Sequence, residues 1–119
     1  MPIRITGIGW MGVGSDDHAE THRFFTETLG LAVDETAPDQ SILSMPSGQQ
    51  IEIFGRDGPG KRNNTPPTIA FTVEDFDEAR DHLIAQGVEL VGEPGSWAGH
   101  RWQYFRGPDG RLFSIKVMP

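Results

Sequence analysis

Gly-Arg-Asp-Gly-Pro-Gly-Lys-Arg-Asn-Asn-Thr-Pro-Pro, residues 55–67, is the stretch on which the reading of the fold turns. Glycine frees the backbone and proline removes a donor, so both helix and strand patterns break here and a linker is expected. The stretch lies at the middle of a 119-residue chain. The residues on its two sides can then be compared as two halves, because a repeat has to be sought before a fold is named.

Working back from the linker, strands are expected near 49–54, 41–45 and 31–35, with Ser47-Gly48 and Pro38-Asp39 as the turns. A helix precedes them, capped by Ser15-Asp16-Asp17 and stopped at Gly30. Residues 4–13 form the opening strand. Working forward, Thr68 to Val73 alternates as a strand, and Asp75-Phe76-Asp77-Glu78 opens a second helix that ends at Gly87. Strands near 88–91, 100–106 and 111–117 come next, the last two joined by Gly107-Pro108-Asp109-Gly110. Each half therefore reads strand, helix, strand, strand, strand. The expected fold is α+β, two βαβββ modules forming a cleft within one domain spanning 1–119. Module one covers about 1–55, the linker 56–66 and module two 67–119.

Composition removes several classes of function. With 17 acidic and 10 basic residues the formal charge is −7, the opposite of a phosphate-binding surface, so no nucleic-acid partner is expected. No apolar run reaches membrane-spanning length and Met1-Pro2-Ile3-Arg4-Ile5 has no signal-peptide core. There is no cysteine, which excludes disulfides and thiolate ligands and is compatible with a cytoplasmic location.

Four local phrases, one per element and in the same order, carry a resemblance. Residues 23–31 (RFFTETLGL), 51–55 (IEIFG), 68–75 (TIAFTVED) and 106–112 (RGPDGRL) resemble the glyoxalase/bleomycin-resistance/dioxygenase (vicinal-oxygen-chelate) superfamily. The resemblance implies a cleft in which a divalent metal is held by first- and last-strand ligands of each module and polarises vicinal oxygens. Carried over, the ligand positions fall at Gly7, Glu52, Thr68 and Ser114. Glycine offers no donor and neutral hydroxyls are poor ones. No His, Asp, Glu or Gln occurs at 3–13, 66–73 or 111–119 to replace them. No metal site and no cofactor are therefore expected, and a divalent ion is disfavoured. The resemblance also implies a homodimer.

Strand alternation assigns the cleft face. If Ile51 and Ile53 pack on the helix, then Gln50, Glu52 and Phe54 face inward. Met11 joins them from the first strand, with Gly7 and Gly9. Thr68 and Thr72, then Ser114 with Lys116, face inward from the second module. His100, Trp102 and Tyr104 form an aromatic wall. Glu52, between two isoleucines, is the candidate catalytic base. A carboxylate satisfied by Lys116 or water is the plainer alternative. Trp97 falls in a loop able to cover the site. His18 and His22 share a helix face at i, i+4, read as solvated. Gly7-Ile8-Gly9-Trp10-Met11-Gly12 matches a dinucleotide motif formally, but no succession of parallel βα units accompanies it. The function expected is binding of a small organic ligand, cationic or planar, by a metal-independent member of the superfamily. The alternatives are a lyase or isomerase with Glu52 as base, or a dioxygenase-type enzyme in which Glu52 holds an atypical metal.

Overall fold

The computed structural model describes residues 3–119; Met1 and Pro2, at the start of the N-terminal stretch, lie outside the described residues. The first repeat consists of β1 (Ile5–Gly14), α1 (His18–Arg23), a π-helical segment (Phe24–Thr28), β2 (Ala32–Ala37), β3 (Gln40–Ser44) and β4 (Gln50–Phe54). After a short helix α2 (Pro59–Asn63) come β5 (Thr68–Val73), α3 (Phe76–Ala85), β6 (Leu90–Trp97), β7 (His100–Arg106) and β8 (Leu112–Val117). Pairing is the same in both repeats. β1 runs parallel to β4, and β5 runs parallel to β8. The other pairs, β2 with β3, β3 with β4, β6 with β7 and β7 with β8, are antiparallel. The α+β fold of two βαβββ repeats is thus the observed one.

Two compact units divide the chain: residues 10–68, the α1 unit, and residues up to Gly9 together with 69–119, the α3 unit. In the α3 unit, Asp75 caps α3 by accepting from the Glu78 amide at 2.9 Å. The spacing of Phe76, Ala79 and Leu83 then turns one stripe of α3 onto Val73 and Ile115. In the α1 unit, Asp17 caps α1 through the Glu20 amide at 3.1 Å. Leu43, Ile51 and Ile53 make the core there, with Phe25 and Leu31 packed on them. Gly30 (φ 80°) and Gly87 (φ 78°) come after the two helical segments in the left-handed conformation that glycine tolerates.

Three expectations about local structure are corrected. The linker is not wholly irregular: Pro59 stands in the first turn of α2, where its missing N–H costs nothing. The first helix is α-helical only to Arg23, after which it widens into the π segment. Trp97 is not in a covering loop. It ends β6 and pairs with His100 across a tight hairpin turn whose inner residues, Ala98 (φ 50°) and Gly99 (φ 86°), have positive φ.

Candidate functional site

Register sets what shares a face with Glu52. β1 and β4 pair Trp10 with Gln50, Gly12 with Glu52 and Gly14 with Phe54. Even-numbered β1 residues therefore lie on the Glu52 face, and Met11, opposite Ile51, packs into the core with Leu43 and Ile53. The placement of Met11 in the cleft is corrected on this ground. β1 is too rich in glycine for its own alternation to set its phase, and pairing with β4 sets it instead.

Glu52 is half-buried and both its oxygens accept hydrogen bonds. Trp10 Nε1 donates to Oε1 at 3.1 Å and Gln40 Nε2 donates to Oε2 at 2.6 Å. Arg56 Nη2 in turn donates to Gln40 Oε1 at 3.1 Å, so the amide cannot flip without losing both contacts. The Trp10 indole lies over Gly12, with the Phe54 ring edge-on at 6.4 Å between centroids. Gln50 and Ser44 donate to Asp34 at 3.3 and 2.9 Å, which brings a second carboxylate onto this face. Asn64 is buried above Gly12; its Nδ2 donates to Gly60 O at 2.6 Å, while Oδ1 has no hydrogen-bond partner among the described residues. Thr68 is buried and donates to Asn63 O at 2.7 Å. The plainer alternative read from the sequence paired Glu52 with Lys116 or water, and the contacts of Trp10 and Gln40 with Glu52, like the buried Asn64, were not foreseen. Gly7, the first-strand position carried over for a ligand, belongs to the other unit; the first-strand side chain touching Glu52 is Trp10.

The α3 unit holds the other candidates. β7 and β8 pair Trp102 with Lys116 and Tyr104 with Ser114, so His100, Trp102 and Tyr104 share a face with Lys116 and Ser114 as alternation required. Lys116 is 4% exposed and its Nζ lies 3.0 Å from His100 Nδ1. Trp97 stacks on His100 at 6.0 Å with an 18° interplanar angle. Thr72 accepts from the Thr6 hydroxyl at 2.9 Å.

His18 and His22 are not a solvated pair. His18 Nε2 and His22 Nδ1 each lie 2.7 Å from Ser41 Oγ, a hydroxyl of β3 that is 1% exposed. They pin α1 to the sheet. At the edge of the same unit, Lys61 pairs with Asp16 at 2.6 Å and Asp57 at 3.2 Å. Its hydrogen bond and charge hold Asp16 below the usual carboxylate range, and the bonds to both aspartates raise Lys61.

Among the described residues no three His, Asp or Glu side chains converge in a way that could hold a metal ion. No described helix is long and apolar enough to cross a membrane.

This fold and the strand-borne polar face define a class. The chain belongs to the Glyoxalase/Bleomycin resistance protein/Dioxygenase superfamily, whose sequence profile matches residues 7–115. Among individual proteins, it is 27% identical over 118 residues to the uncharacterized protein YetH of Bacillus subtilis (strain 168), covering 94% of this chain and 98% of the relative. Methylmalonyl-CoA epimerase from Mycobacterium tuberculosis has a similar structure, with a TM-score of 0.79 at 20% identity, over 100% of this chain and 92% of that one. The Mn(II)-bound glyoxalase from Novosphingobium aromaticivorans matches at a TM-score of 0.76 and 20% identity, over 98% of this chain and 40% of that one. At such identities the two structures share the fold with this chain.

Proposed function

We propose that this protein binds a small organic molecule on the Glu52 face, that this face works without a divalent metal, and that its ligand is a cationic or planar compound. The observation that carries the reading is the pair of hydrogen bonds from Trp10 and Gln40 to Glu52. The groups nearest the carboxylate are N–H donors, which satisfy an anion but do not ligate a cation, so the donor set fits a divalent ion poorly. Asp34 and Glu52 supply acceptors, and Trp10 and Phe54 supply aromatic surface, the complement of a ligand carrying N–H groups on a flat frame.

The test is a thermal-shift titration of tag-free, chelator-treated protein with Ni, Zn, Mn, Fe(II), Co and Mg, beside Glu52→Ala. Metal at about 100 times its Kd would add roughly 2.7 kcal/mol, several degrees for a chain of this size. The expected result is no rise that depends on Glu52. A Glu52-dependent rise overturns the metal-free reading and turns attention to glyoxalase and dioxygenase assays. A plate of cationic and aromatic compounds comes next, and ligand-induced stabilisation that weakens in Glu52→Gln is expected.

A second reading, an isomerase or lyase with Glu52 as general base, is favoured by the fixed orientation of the carboxylate, because proton abstraction needs a positioned acceptor. It separates cleanly from ligand binding without turnover. Turnover falling about 10²- to 10⁴-fold in Glu52→Gln, with ligand-induced stabilisation retained, would establish it.

The partner we propose is a second copy of this chain. Ile5 and Ile8 are 54% and 51% exposed on β1, with Thr6 and Gly7 exposed between them. Exposed apolar side chains gathered on one short segment offer a surface that a second chain can cover. Ile8→Glu is expected to shift the sedimenting species from dimer to monomer; an unchanged mass, or a monomeric parent, counts against this surface.

A further inference from the structure

We propose that His18 and His22 form a chelating site for a late first-row transition ion such as Cu²⁺, Ni²⁺ or Zn²⁺, distinct from the Glu52 face. The inference rests on convergence. His18 Nε2 and His22 Nδ1 each lie 2.7 Å from one atom, Ser41 Oγ, and the ring centroids are 5.7 Å apart. Two imidazoles one helical turn apart, with ring nitrogens aimed at one point, are a bidentate arrangement. An ion with bonds of about 2.0–2.1 Å to each nitrogen needs only a small retreat of the serine hydroxyl, which already has a second partner in Thr36 Oγ1 at 3.2 Å.

Proton bookkeeping allows the exchange. A hydroxyl has one proton to donate, so Ser41 can donate to one imidazole, and the other imidazole, if it is hydrogen-bonded too, donates its N–H to Ser41 Oγ. On ion binding the donating ring moves its proton to its other nitrogen, and two neutral lone pairs then face the metal. Neutral imidazoles release no net proton. Nitrogen donors select the Cu²⁺ end of the Irving–Williams order and leave Mg²⁺ and Ca²⁺ to oxygen sites. No carboxylate completes a three-residue set among the described residues, so the donors the chain supplies at this point are the two imidazoles and the Ser41 hydroxyl. The consequence is two nitrogen–metal bonds that join the rings through the ion in place of the serine pin, which changes how α1 is held on β3.

The test is calorimetric titration of chelator-treated, tag-free protein with Cu²⁺, with nitrogen hyperfine coupling read by electron paramagnetic resonance. One ion per chain and coupling to two imidazoles are expected. His18→Gln and His22→Gln should each weaken binding by at least about tenfold, and Glu52→Ala should leave it unchanged. Ser41→Ala, which keeps both rings and removes the competing hydroxyl, should bind as tightly or more tightly. Affinity unaltered in both histidine variants, or coupling to a single nitrogen, overturns the site. Should either histidine variant fail to fold, Zn²⁺ titration of the unaltered chain, monitored through imidazole proton resonances, decides. Shifts confined to His18 and His22 among its four histidines support the site, and shifts elsewhere or none remove it.

Discussion

Gly12→Ala is expected to destabilise the protein by about 2–3 kcal/mol and lower its Tm by on the order of 10 °C. A methyl group at this position would lie 2.0 Å from Asn64 Oδ1 and 2.4 Å from Trp10 Cη2. Neither neighbour has a cheap retreat. Asn64 is tied by its side chain through Nδ2 to Gly60 O, and its backbone carbonyl accepts from the Gly14 amide at 2.8 Å. Trp10 is 9% exposed and its ring lies between Phe54 and the Glu52 carboxylate. Pushing the indole outward breaks its bond to Glu52, so under the proposed ligand-binding reading the variant should also lose ligand-induced stabilisation. Gly7→Ala is the control: the added carbon sits 3.5 Å from Thr72 Oγ1, an ordinary contact, and a change within about 0.5 kcal/mol is expected. Equilibrium unfolding in urea measures both. Equal stability of the two variants would mean that the Trp10–Gly12–Asn64 stack is not a rigid support for Glu52.

The architecture was legible in the sequence because its signals are local. The alternation of Thr68 to Val73, the caps at Asp17 and Asp75, and the glycines after each helical segment all work within a few residues. So was the face of β4, since Ile51 and Ile53 have to be buried and thereby turn Glu52 the other way. The chemistry around Glu52 was not legible. Trp10 and Gln40 are 42 and 12 residues away from it, and register, which a glycine-rich strand does not announce, is what brings Trp10 across. Met11 was misplaced for the same reason. The histidine pair was misread for a different one. A polar helix face looks solvated until a buried hydroxyl on a distant strand, Ser41, is found beneath it. Asn64 and Gln103, both buried, show the same limit: polar side chains at 1% and 0% exposure answer to backbone groups that only the folded chain positions.

Gln103→Leu, the second substitution with a large expected effect, should cost about 3 kcal/mol. The β6–β7 register shifts between Val91 and Gly95, and the irregularity leaves strand carbonyls without their ladder partners. Gln103, from the helix-facing side of β7, supplies the missing donor. Its Nε2 reaches Gly92 O at 3.0 Å and Val91 O at 3.3 Å, and its Oε1 accepts from Arg80 Nε at 3.0 Å. Leucine is of similar size, so packing changes little, but the Val91 and Gly92 carbonyls and the Arg80 N–H lose the partner that the fully buried Gln103 amide gives them. The loss should appear as a lower urea midpoint with an unchanged slope, since the surface exposed on unfolding stays the same. Arg80→Ala removes one end of the network and should cost less, about 1 kcal/mol. Amide exchange would localise the effect, with protection lost first around 91–95, where the bulge opens. A stable Gln103→Leu protein would show that water satisfies the bulge, and the long β6 would then owe its extension past Pro94 to the Trp97–His100 pairing at its far end.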